Sequence, residues 1–216
     1  MMGAAGKMSG KYDPLSTEGN KLFGYFIQQC KNPTGFIGSK MTNIWNRTFR
    51  SMTDWGLRRI EFTAHERILD IGCGGGATIK ELVSLNANAE KIYGIDISKV
   101  SVKNSRKVNK LFIEQKKVEI LKSAVEKMPF PENYFDRIFA VQTHIYWNDM
   151  NLALCEIERV LKPDGRLHII CEKDKITYHL KDYENTEKMC GVLKDAGLKD
   201  IVCLKEGNWI AYTGRK

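Results

Sequence analysis

The stretch from Arg67 to Val83, RILDIGCGGGATIKELV, holds the residue types best suited to chemistry. Gly72, Gly74, Gly75 and Gly76 crowd into five positions. Glycine takes backbone angles that a Cβ forbids, and it lets a ligand lie directly on the main chain. Ahead of the glycines, Ile68, Leu69 and Ile71 predict a short buried strand. Behind them, Ile79, Leu82 and Val83 predict one face of a helix. Such a helix start offers free N–H groups and the positive end of the peptide dipoles. Strand, glycine turn and helix together build the first unit of a nucleotide-binding α/β fold. Asp70, two positions before the first glycine, bears on the choice of ligand. A pyrophosphate placed there meets a negative charge, whereas a cationic amine or sulfonium is attracted. Gly72, Gly74 and Ala77 also satisfy the G-x-G-x-x-G/A spacing of a dinucleotide site, a weak signal by itself.

Two further groups of residues fall where ligands of open α/β sheets bind, outside the carboxyl ends of the strands. Asp96 ends a second apolar run, Lys91 to Asp96, where a carboxylate can accept hydrogen bonds from both ribose hydroxyls. Gln142, Thr143 and His144 follow a fourth run, Asp136 to Val141, with Tyr146 and Trp147 close behind. An imidazole has an unperturbed pKa near ~6.5 and suits general-base work. A positioning role for His144 is the competing reading.

The elements that must hold these residues alternate from Glu61 onward, which predicts a mostly parallel sheet. Val118 to Leu121 reads as a third strand and Arg166 to Cys171 as a fifth. Ser98 caps a helix carrying Val100, Val108, Leu111 and Phe112. Asp149 opens another with Ala153, Ile157, Val160 and Leu161 on its buried face, and a last helix spans Glu184 to Ala196. Asp200 to Lys205 and Trp209 to Thr213 are separated by so short a turn that they must pair antiparallel. Upstream, Tyr12 to Gln29 predicts a helix, broken at Asn32-Pro33-Thr34-Gly35. A second helix carries Met41, Ile44, Trp45, Phe49, Met52 and Trp55 and is expected to end at Gly56. The expected organisation is therefore a tail and helical cap over residues 1–60 and an α/β domain over residues 61–216.

Asp70-Ile71-Gly72-Cys73-Gly74-Gly75-Gly76 closely resembles motif I of the class I S-adenosylmethionine-dependent methyltransferases. The region from Lys122 to Asp136, with its Met128-Pro129-Phe130, resembles the stretch between strands three and four of those enzymes. The antiparallel ending matches their sheet rather than a typical dinucleotide domain. Four motifs in the expected order make the resemblance specific over residues 61–216. It is strongest to the methyltransferase type 11 group, similar to the ubiquinone/menaquinone-type enzymes. The resemblance implies a Rossmann-like, seven-stranded, mostly parallel sheet with a C-terminal antiparallel hairpin. It also implies S-adenosyl-L-methionine as cofactor, with Asp70, Gly72, Cys73, Gly74, Asp96, Ile97, Ala124, Val125, Glu126, Gln142 and Thr143 around it. Ile97 would face the adenine. Ala124 departs from the family, which commonly has an acidic residue there. On the acceptor side the implied residues are His144, Tyr146 and Trp147. Phe36, Ile37, Met41 and Trp45 are expected to cover the pocket from the N-terminal side.

Composition narrows the remaining readings. The chain has 216 residues, 43% of them hydrophobic, enough for one proper core. No run approaches the ~18 apolar residues of a membrane span, and the small polar N-terminus argues against export. A cytoplasmic protein is expected, its six cysteines reduced, with no metal site for want of clustered Cys/His spacing. Residues 1–60 carry nine Lys and Arg against three Asp and Glu, so most of the net +8 lies there. Lys99, Lys103, Arg106, Lys107, Lys110, Lys116 and Lys117 form a second basic cluster, most simply a solvated helix face. The expected partner is a small-molecule acceptor, with no nucleic acid and a monomeric or homodimeric state. The alternatives are an RNA or protein methyltransferase and a non-catalytic binding protein.

Overall fold

The computed structural model describes residues 34–35 and 49–216. The predicted helix at 12–29 and the residues Phe36, Ile37, Met41 and Trp45 lie outside the described residues. From Arg50 the elements run α1 (Arg50–Leu57), β1 (Arg67–Ile71), α2 (Ala77–Leu85), β2 (Lys91–Asp96), α3 (Lys99–Val108), α4 (Lys110–Glu114) and β3 (Val118–Lys122). They continue with β4 (Phe135–Val141), a 3-10 turn (His144–Tyr146), α5 (Met150–Val160), β5 (Leu161–Glu172) and α6 (Lys173–His179). A second 3-10 turn (Lys181–Tyr183), α7 (Thr186–Asp195), β6 (Lys199–Glu206) and β7 (Trp209–Arg215) complete the described chain.

The seven strands form one sheet in the order β3-β2-β1-β4-β5-β7-β6. The first five are parallel, and β7 pairs antiparallel with both β5 and β6. The winding direction reverses between β1 and β4, so the carboxyl ends of those two strands flank the crevice where ligands of such sheets bind.

Alternation along each strand splits the core in two. Leu69, Ile71, Tyr93, Ile95 and Ala140 pack on one face with Ala153, Leu154 and Ile157 of α5 and Met189 and Leu193 of α7. Ile68, Ile92, Val118, Phe139 and Ile170 pack on the other with Met52, Trp55 and Leu57 of α1 and Ile79 and Leu82 of α2. The α1 side chains therefore belong to the main core. Trp55 meets Trp209 at 5.9 Å between ring centroids, and its indole N–H donates to Glu206 at 2.7 Å.

Three local expectations are corrected. Gly56 does not end α1 but lies inside it. A Cβ there would stand 2.4 Å from Ile170 Cδ1, so the missing side chain sets how closely helix meets sheet. The helix after β2 breaks at Asn109, leaving Val108 and Leu111 exposed while Val102 is buried. Asn109 is wholly buried because its amide donates to Gly76 O and Ser105 O, both at 3.0 Å, which ties the break to the glycine loop. Leu161 opens β5 rather than closing α5, pairing with Phe135.

Candidate active site

The glycine loop is built by exclusion. Gly72 follows β1 with φ 68°, and a Cβ on it would lie 2.5 Å from Thr143 Cγ2. Thr143 in turn donates its hydroxyl to Ile71 O at 3.0 Å, so the ends of β1 and β4 are clasped at that point. Gly72 and Cys73 both donate their N–H to Ile95 O, at 2.8 and 3.0 Å. Gly76, at φ 84°, leads into α2 where a Cβ would strike Ser105 and Asn109. Gly74 differs: a Cβ on it would meet only Gly72 O, at 3.9 Å. The bare backbone at Gly74 therefore borders open space.

Two carboxylates support this loop. Asp96 accepts from Ser98 N at 2.8 Å and from Gly74 N at 3.0 Å. Burial raises its pKa, and the backbone N–H groups of Ser98 and Gly74 pull it back. Asp70 is 1% exposed, and its Oδ2 has no hydrogen-bond donor. Burial first, and the charge of Asp96 second, push its pKa well above the usual carboxylate range. An unpartnered buried carboxylate is costly unless something positive completes it. The donor set thus fits a cationic ligand with hydroxyls, resting on main chain at Gly74.

The cleft beside this loop has a volume of about 1110 Å³. Gly72, Cys73, Gly74, Asp96 and Ile97 line it, with Gln142 and Thr143 beside the glycine loop, and Tyr146, Trp147, Tyr178 and His179 line it too, around the 3-10 turn and α6. A family model described as a methyltransferase domain matches residues 69–169. A Bacillus subtilis (strain 168) protein named uncharacterized methyltransferase YdaC is 24% identical over 155 residues, covering 70% of this chain and 82% of its own. A solved S-adenosylmethionine-dependent methyltransferase from Aquifex aeolicus matches with a TM-score of 0.69 at 24% identity, covering 82% of this chain and 97% of that one. The chain carries a class I S-adenosylmethionine-dependent methyltransferase domain. Its cofactor is S-adenosyl-L-methionine. Cycloartenol-C-24-methyltransferase of Arabidopsis thaliana is 31% identical over 98 residues, spanning 45% of this chain but only 29% of that protein.

The structure of the methyltransferase gathers most of the expected residues around one cleft. Besides those named above, Val125 and Glu126 line it, and Glu126 accepts from Asn148 N at 2.9 Å. Asp70 lies buried beneath the loop rather than in the wall. Ala124 is also not in the wall, and its neighbour Ser123 is. Gln142, at φ 57°, is pinned to β5 by accepting from Glu172 N at 2.9 Å and donating to Glu172 Oε2 at 3.3 Å. His144 is 1% exposed, sits behind the wall with its Nδ1 unpartnered, and burial lowers its pKa to about 3. Cys73 is buried, and burial with the nearby carboxylates raises its thiol pKa, so it is an unreactive packing group.

Sequence reasoning missed Lys175, Tyr178 and His179, which α6 brings to the cleft. No motif marks them, and the dozen residues after β5 read as a simple link. It also missed the structural role of His168, buried between Phe139 and Thr213 with its pKa lowered to about 3 by burial and by Arg137. Among the described residues no cluster of three His, Cys, Asp or Glu could hold a metal, and no helix is long and apolar enough to cross a membrane.

Proposed function

We propose that this methyltransferase transfers its methyl group to a small-molecule acceptor by in-line displacement, with S-adenosylhomocysteine leaving. The observation that carries the reading is the concave cleft running from the glycine loop to the rings of Tyr146, Trp147 and Tyr178. Its size suits a cofactor with one small partner beside it. The bound cofactor supplies a methyl group already activated as a sulfonium, so the chain's own work is alignment and exclusion of water. Asp70 answers the positive charge from behind the loop. Asp96 offers its remaining lone pairs to hydroxyls, and Gly72, Cys73 and Gly74 present main chain. Ile97, Val125 and Glu126 flank the adenine, with Ser123 in the wall in place of Ala124, and Gln142 and Thr143 flank the methionine portion.

His144 could act as a base only with the wall opened around it, since it is buried and weakly basic. We assign it a positioning role behind Trp147, whose ring it meets edge-on at 6.2 Å. Residues 1–60 are assigned to the tail and cap, of which α1 packs into the core of the catalytic domain at 61–216, in a cytoplasmic monomer or homodimer. A small acceptor is also in keeping with the cycloartenol in the name of the Arabidopsis relative. The RNA reading rests on the basic cluster, and there Arg106 is engaged in structure, donating to Ile120 O at 3.0 and 2.6 Å.

The test is S-adenosylhomocysteine release by the full chain with small-molecule, RNA and protein acceptors supplied separately. Turnover with a small molecule is expected. Release only with RNA or protein would overturn the acceptor class, and failure to bind adenosylmethionine by calorimetry would overturn the site.

A further inference from the structure

The charges along the cleft are unevenly satisfied. Arg50 pairs with Asp54 at 3.9 Å, and Glu81 pairs with Arg58 at 3.8 Å. Lys117 donates to Ala87 O, Glu126 accepts from Asn148 N, and Asp96 holds two backbone N–H groups. Lys80, on α2, and Lys175, on α6, are the wall lysines with no hydrogen bond or ion pair among the described residues. Of the two, only Lys175 shares the end of the cleft formed by Tyr146, Trp147, Tyr178 and His179.

That end presents donors without acceptors. Lys175 and His179 lie four residues apart on α6, on one side of the helix, and both reach the wall. His179 meets the rings of Tyr146 and Tyr178 edge-on at 5.0 and 4.7 Å, which fixes its plane. Trp147, in the same wall, has a buried indole N–H with no acceptor. Partial burial and the Lys175 charge both lower the His179 pKa, as expected of two cationic groups facing the same space.

We propose that the acceptor carries an anionic group, a carboxylate or a phosphate, bound between Lys175 and His179 at the α6 end of the cleft. The inference rests on the small-molecule reading above and narrows it to acids. An oxyanion would give Lys175 its missing partner and relieve its repulsion of His179. Tyr146, Tyr178 and Trp147 would flank the organic part, with the group to be methylated pointing toward the glycine loop.

The experiment titrates the full chain, saturated with S-adenosylhomocysteine, against 3,4-dihydroxybenzoate and its methyl ester, and against phosphoethanolamine and ethanolamine. At least one acid should bind ten-fold or more tightly than its uncharged or cationic counterpart, and the two pairs distinguish carboxylate from phosphate. Lys175→Met should abolish that preference and Lys175→Arg should largely keep it, with adenosylmethionine affinity within about two-fold in both. His179→Gln should weaken acid binding by several-fold. Equal binding within both pairs, a preference that survives Lys175→Met, or no binding of either acid by a protein that still binds adenosylmethionine would overturn the proposal. A protein that binds no adenosylmethionine would instead strike the reading on which it rests.

Discussion

The two ends of the cleft are built by different means. At the glycine end, main chain does the holding. Gly72 and Cys73 donate to Ile95 O, Gly74 donates to Asp96, and a Cβ at Gly72 or Gly76 has nowhere to go. At the α6 end, side chains on a short helix and a 3-10 turn line the cleft, and the buried Trp147 indole N–H just after the turn has no acceptor. The first arrangement is rigid and serves one fixed ligand. The second can be re-cut by substitution without disturbing the sheet, which suits the acceptor role proposed for it.

The largest expected effect attacks the rigid end. Gly72→Ala combines a positive φ with contact against Thr143, and should cost about 2–5 kcal/mol of stability. Denaturant unfolding measures it, and a wild-type midpoint would refute the clasp between β1 and β4. Next, Asp96→Ala should weaken adenosylmethionine binding by about 1.5–3 kcal/mol, as for hydrogen bonds to a charged group. Unchanged affinity by calorimetry in a folded variant would remove Asp96 from the site.

Asp70→Asn should separate binding from stability. It removes an unpartnered buried charge, so the ligand-free protein should gain roughly 1–3 kcal/mol while adenosylmethionine binding weakens. The same variant sharpens the pH dependence. His144 and His168 have folded pKa values lowered to about 3, so their contribution is full above the unfolded value and is lost as pH falls from about 6.5 toward 3. Each removes roughly 2 kcal/mol by pH 5. Asp70, raised in the folded state, works in the opposite sense and gives stability back on acidification. Asp70→Asn should therefore lose more stability than the parent between pH 7 and pH 5, and thermal melts at the two pH values would show an equal loss if this is wrong. The smallest effect lies away from both ends. Gly191→Ala in α7 meets nothing within 4 Å and should gain about 0.5–1 kcal/mol. A destabilised variant would show that α7 needs the space.

Legibility in the sequence follows the same division. The glycine turn, the carboxylate ending β2, the alternating strands and the antiparallel finish are all local signals, and the sheet order carries them through. Gly56 is not legible as a helix-interior residue because glycine inside a helix and glycine at its end look alike in sequence. Only the approach of Ile170 separates them. Val108 and Leu111 fit a helical apolar pattern but are turned outward by the break at Asn109, whose amide answers Gly76 more than thirty residues away. Lys175, Tyr178 and His179 have no signal at all, since no motif or fixed spacing marks a side chain that only the packing of α6 brings to the cleft.

The final strand has a consequence for assembly. β7 follows β6 in sequence yet lies between β5 and β6. Until residues 209–215 leave the ribosome, the flank of β5 from Arg166 to Glu172 has no neighbour for its hydrogen bonds, and Ile169, Ile170 and Cys171 lack the cover of Tyr212, Ala211 and Ile210. A nascent chain in this state exposes an adhesive margin for the whole synthesis of α6, α7 and β6, and the arrival of β7 closes the sheet in one late, long-range step.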